Sequence, residues 1–102
     1  MLKINKIIEN GHALFTLSGR LDTTTAPELD QELRSSLTGV TTLTLDMKDL
    51  SYISSAGLRV LLSAQKLMNK QGKMTVCNVN ETVYEIFEVT GFSDILDIER
   101  AD

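Results

Sequence analysis

Hydrophobic positions along this chain change period several times, and each change marks an element. Leu2, Ile4 and Ile8 alternate with polar neighbours, with Ile7 on the opposite side, which predicts a first strand. Asn10-Gly11 follows, the strongest short signal for a tight hairpin. Ala13 to Ser18 alternates again as a second strand, antiparallel to the first, and Gly19-Arg20-Leu21-Asp22 leads out of it. Thr25-Ala26-Pro27-Glu28 has the form of a capping box, with Thr25 as cap and Pro27 in the first turn. Leu29, Leu33 and Leu37 then make one apolar stripe, and Gly39 ends that helix.

The next switch organises the chain. Leu43, Leu45 and Met47 alternate with Thr42, Thr44 and Asp46, so Thr41 to Met47 is expected to be a strand. Leu58, Leu61, Leu62 and Gln65 return at helical spacing, so a helix is expected to begin near Ala56. The short loop between them carries Ser51, Ser54 and Ser55, and either Ser54 or Ser55 can cap the helix. A hydroxyl is thereby set where unpaired amides and the helix dipole favour negative charge. Gln71-Gly72 stops this helix, and Met74 to Val79 is the next strand. Asn80 caps a short helix that turns Val83, Ile86 and Phe87 inward and ends at Gly91. Phe92, Ile95, Leu96 and Ile98 close the core, with the last residues frayed. The order β-β-α-β-α-β-α predicts an α/β fold, a small mixed sheet of about four to five strands packed with helices.

The second strand, first helix and third strand form a crossover, which is right-handed and makes those strands parallel. Their carboxyl ends then share one sheet edge, where sites of open α/β sheets gather. That edge collects Asp22, Thr23, Thr24 and Thr25 with Ser54 and Ser55. His12, the only histidine, starts the second strand and falls at the opposite edge. Five or six residues separate it from the serine loop by roughly 15–20 Å. A base must approach within about 3 Å, so the spacing argues against a serine–histidine hydrolase built from this chain's own histidine.

Composition narrows the classes. The 102 residues, 1–102, are read as one domain, and 42% apolar content with mixed charge describes a folded chain. A net charge of −4 argues against nucleic acid as a partner. The single cysteine, Cys77, excludes an internal disulfide and is expected to be a buried strand residue. Met1 to Ile8 is not a secretory signal, and no stretch approaches the ~18 apolar residues of a membrane span. A cytoplasmic protein without direct membrane insertion is expected. Asp46, Asp49 and Asp22 lack the spacing of a calcium loop, and no glycine-rich phosphate loop is present, so neither metal nor cofactor is expected.

The central stretch resembles the signature of the STAS domain family, which reads D-S-[SAT]-G-[LV]-G after L-S-x-[MI]. Here those places hold Leu50, Ser51 and Ile53, then Ser54, Ser55, Ala56, Gly57, Leu58 and Arg59. A second motif, G-x-[LI]-D followed by threonine and alanine, falls on Gly19, Leu21, Asp22, Thr25 and Ala26. The late Val83 and Phe87 also match. The resemblance implies an anti-sigma factor antagonist in a partner-switching pathway that regulates transcription. It implies binding to an anti-sigma factor that is a serine kinase of the histidine-kinase-like ATPase fold. It further implies phosphorylation at Ser55, with Ser54 as a competing hydroxyl, and reversal by a metal-dependent serine phosphatase. The implied partner surface comprises Asp22, Thr23, Thr24, Thr25, Ser54, Ser55, Ala56, Gly57, Leu58 and Arg59. Ser54 replaces the family aspartate and Arg59 the family glycine, which makes the loop less negative. Two rivals remain: a STAS accessory subunit of an ABC-type membrane transporter, and an enzyme with Ser55 as nucleophile.

Overall fold

The computed structural model describes residues 1–101. Asn10 and Gly11 both take positive φ, 50° and 79°, and fold β1 (Leu2–Glu9) back on β2 (His12–Leu21) as an antiparallel hairpin. There follow α1 (Ala26–Ser36), β3 (Thr42–Ile53), α2 (Ser55–Gln71), β4 (Lys73–Val79), α3 (Glu81–Thr90), a 3-10 turn (Phe92–Asp94) and β5 (Ile98–Arg100). The strands form one five-stranded sheet in the order β1-β2-β3-β4-β5, parallel from β2 onward. The expected mixed α/β architecture is present. A fifth strand is added where fraying was expected, held by Val76 N–H donating to Asp97 O at 2.9 Å and Ala101 N–H to Val79 O at 2.9 Å.

Alternation decides which side of the sheet meets the helices. Ala13, Phe15 and Leu17 on β2, Leu43, Leu45 and Met47 on β3, and Met74 and Val76 on β4 are buried. They pack in one core with Leu29 and Leu33 of α1, Leu61 and Met68 of α2, and Val83 and Phe87 of α3. Each helix supplies only a stripe, as its 3.6-residue period dictates. The intervening strand residues, among them Leu14, Thr16 and Thr44, lie half-buried or exposed on the other face.

Several expected details are corrected. β3 does not end near Met47 but runs to Ile53, so Ser51 belongs to a strand. Likewise β2 continues through Arg20 and Leu21. The two strands match despite their unequal lengths because β3 carries extra residues. Thr16 pairs with Asp46 but Ser18 with Asp49, and Gly19 pairs with Leu50 but Arg20 with Tyr52. Two bulges of this kind break the two-residue period, which is why the strand seemed to stop. The expected capping box at Thr25 is absent: its backbone is already helical (φ −98°, ψ −21°) and its hydroxyl makes no cap bond. On the hairpin, Ile7 and Ile8 are exposed, as is Ile95 near the end of the chain. Cys77 is half-buried on the face opposite Met74 and Val76, where burial and then the charges of Asp46 and Glu99 push its thiol pKa up.

Candidate functional site

At the carboxyl ends of β2 and β3 the chain builds two short loops that lean on each other. The first is the turn after Leu21. One carboxylate oxygen of Asp22, Oδ1, accepts from the amides of Thr24 and Thr25, each at 3.1 Å. The same oxygen accepts from the Thr24 hydroxyl at 2.8 Å, and the Thr25 hydroxyl oxygen lies 3.1 Å from it. The Thr25 hydroxyl also donates to Arg20 O and accepts from Asp22 N–H, both at 2.8 Å. This explains why Thr25 is buried and does not cap α1: its hydroxyl belongs to the turn. The bonds favour ionised Asp22, led by the Thr24 hydroxyl and then the Thr25 amide, and they lower its pKa from 3.8 to about 2.

The second loop is a single residue wide. Ser54 is the N-cap of α2, extended at φ −95° and ψ 175°, and its hydroxyl accepts from Gly57 N–H at 3.3 Å. Of the two capping candidates, Ser54 therefore fills the role. Ser55 is the first helical residue and is exposed. Its hydroxyl has no hydrogen-bond partner among the described residues. Arg59, one turn further along, is exposed and forms no ion pair among the described residues.

Two contacts join the loops. Ser54 N–H donates to Leu21 O at 2.8 Å, so the residue before Asp22 is bonded to the residue before Ser55. Gly57 lies against the same leucine so closely that a β-carbon there would sit 2.7 Å from Leu21 Cγ and 2.9 Å from Ile53 Cγ1. The absence of a side chain thus lets the start of α2 settle onto the end of β2. The predicted surface residues divide accordingly. Thr23, Thr24, Ser55 and Arg59 are exposed, Asp22, Ser54 and Ala56 are half-buried, and Thr25, Gly57 and Leu58 turn inward as the frame.

His12 sits at the opposite end of the sheet. It pairs with Thr42 while Leu21 pairs with Ile53, and its ring Nδ1 faces the Thr42 hydroxyl. Because β2 is longer than expected, its separation from Ser55 rises to the order of 25–30 Å. Among the described residues no three or more His, Cys, Asp or Glu side chains cluster to hold a metal ion, and no helix is long and apolar enough to cross a membrane. The sequence pattern missed two members of the rim, Arg20 and Tyr52. The Arg20 guanidinium carbon lies 4.5 Å from the centre of the Tyr52 ring, and Arg20 Nε lies 3.8 Å from Asp22 Oδ2. A signal was present, since these are the open x positions of the two motifs, but only strand register reveals that they are neighbours.

Comparison with known proteins gives a consistent result. The family model of the STAS domain matches residues 3–101. The anti-sigma-B factor antagonist of Bacillus subtilis is 34% identical over 83 residues, covering 80% of this chain and 76% of that protein. Among solved structures, an anti-sigma factor antagonist from Mycobacterium paratuberculosis superposes with a TM-score of 0.87 at 19% identity, covering 97% of this chain and 86% of the other. The Bacillus cell-fate determinant SpoIIAA in its phosphorylated form gives a TM-score of 0.73 at 17% identity, covering 96% and 90%. At such identities the two structures speak for the fold.

Proposed function

The chain belongs to the STAS domain family, and on that premise we propose that it is an anti-sigma factor antagonist of a partner-switching pathway. It acts in the cytoplasm by binding, without a reaction of its own. Its partner is an anti-sigma factor of the histidine-kinase-like ATPase fold, and capture of that partner frees a sigma factor. The docking surface is the rim formed by Asp22 to Thr24, Ser54, Ser55 and the exposed start of α2.

One observation carries the switch. Ser54 spends its hydroxyl on the helix cap, whereas Ser55 stands exposed at the first helical position. This supports Ser55 as the acceptor that a partner kinase meets, ahead of the capping hydroxyl of Ser54. A phosphate on Ser55 brings about −1.5 to −2 charges at neutral pH. The amides at the start of α2 and Arg59 one turn on offset part of that charge. Asp22, held ionised by its turn, adds like charge from the other loop. Docking would then have to strip water from a crowded anionic rim, at a cost of several kcal/mol per ion. Binding fails until a metal-dependent phosphatase removes the group.

The test is binding of the anti-sigma factor measured by calorimetry. Wild type and Ser55→Ala bind alike, Ser55→Asp binds at least tenfold more weakly, and incubation with kinase and ATP modifies wild type but not Ser55→Ala. Equal affinity of wild type and Ser55→Asp would overturn the switch.

A further inference from the structure

The second bulge of β3 has a consequence for recognition. Gly19 pairs with Leu50 and Arg20 with Tyr52, so Ser51 is the extra residue between them. The Ser51 hydroxyl fixes this bulge by donating to Gly19 O at 2.9 Å, and Gly19 itself turns through φ +97°. Without the insertion Arg20 would oppose Ser51. With it, Arg20 and Tyr52 become direct neighbours pointing the same way, while Leu21 and Ile53, the next pair, are buried. Bulges next to functional sites commonly re-aim side chains in this manner.

The resulting pair is one of two arginine–tyrosine stacks; the other, Arg100 of β5 over Tyr84 of α3 at 4.2 Å, does not touch the two loops of the site. The chain has 2 tyrosines, 3 phenylalanines and no tryptophan. Tyr52, at 36% exposure, is the one aromatic among the large hydrophobic side chains exposed in the described residues. The Arg20 side chain is 54% exposed yet stacked on that ring and steered by Asp22, so it is both available and pre-ordered. An arginine whose fork is already oriented loses less freedom on pairing with a carboxylate. The two backbones beneath are locked by the Ser51 bond and by Ser54 N–H to Leu21 O.

We infer that the Arg20–Tyr52 stack is a specificity anchor for the protein partner, reading a carboxylate beside an apolar patch on the partner's surface. This rests on the docking reading above and extends it past the phosphoacceptor onto the strand ends. Tyr52 supplies rigid apolar area, and the outer face of the Arg20 fork pairs with the carboxylate. Tyrosine and arginine are the residue types in which interface binding energy concentrates. The frame around them positions any STAS-type rim, and these two side chains choose among partners.

The test uses the full chain and its anti-sigma factor in a double-mutant cycle: Arg20→Ala, Tyr52→Ala, both together, and Lys73→Ala at the far sheet edge as control. Arg20→Ala and Tyr52→Ala each weaken binding about tenfold or more, and the double variant loses less than the product of the two. Arg20→Lys, which keeps the charge but not the planar fork, lies between wild type and Arg20→Ala. Lys73→Ala binds as wild type. Thermal melting of each variant separates folding from recognition, and Arg20→Ala leaves the ring in place should Tyr52→Ala fold poorly. Wild-type affinity in Arg20→Ala and Tyr52→Ala would overturn this inference alone. Failure of the wild-type chain to bind the anti-sigma factor would overturn the docking reading and this inference with it.

Discussion

Replacing Gly57 by alanine tests the joint between the two loops. The added β-carbon would stand 2.7 Å from Leu21 Cγ, 2.9 Å from Ile53 Cγ1 and 3.0 Å from Leu21 Cδ2. Comfortable carbon–carbon contact begins near 3.5 Å, so two of these are short by more than about half an ångström. Leu21 and Ile53 are 0% and 2% exposed, and Cγ and Cγ1 sit close to their backbones, so neither side chain can swing away. Overpacking of this kind costs about 1–3 kcal/mol. Against it stands the gain from removing glycine from a helix, about 0.5–1 kcal/mol. The clash wins, with a net loss of about 1–2 kcal/mol. For a domain of this size that lowers Tm by roughly 4–15 °C. The start of α2 also lifts away from Leu21, so affinity for the anti-sigma factor falls together with stability. Leu21→Ala opens space at the same place, so the double variant should lose less than the sum of the two single losses, with coupling of roughly 0.5–3 kcal/mol. Melting curves and calorimetry check both statements. A Gly57→Ala protein that melts at or above wild type, or strict additivity with Leu21→Ala, would refute the close packing of these loops.

Two further predictions concern the same rim. The Asp22 carboxyl should titrate near pH 2 by NMR, below its ordinary 3.8. Because the folded pKa is the lower one, the stabilisation is complete above pH 3.8 and is lost as the pH falls toward 2, and Asp22→Asn should flatten that acid limb. Ser54→Ala removes the hydroxyl that accepts from Gly57 N–H and should cost about 1 kcal/mol in urea unfolding, and under the proposed switch the kinase should still modify Ser55 in that variant.

Local pattern determined a good deal of this protein. The Asn10–Gly11 turn, the stripes of α1 and α2 and the Asn80 cap of α3 each depend on residues within one turn of one another, and they form as their spacing dictates. Element order then sufficed to put Asp22 and the serine loop on one edge and His12 on the other, because a parallel crossover has one hand. Other features depend on partners far along the chain. The extension of β3 to Ile53 rests on pairing with β2, and its two added residues hide the alternation that would have announced it. Whether Thr25 caps a helix or braces a turn was settled by Arg20 O and the Asp22 carboxylate competing for its hydroxyl. Ser54 and Ser55 are equivalent as letters; the bond from Ser54 N–H to Leu21 O assigns one to the frame and leaves the other free. Arg20 meets Tyr52 only because Ser51 is squeezed out of register. Periodicity encodes which face of an element is buried, whereas register between strands is set by packing and by hydrogen bonds across the sheet, and so it becomes readable only once the chain is folded.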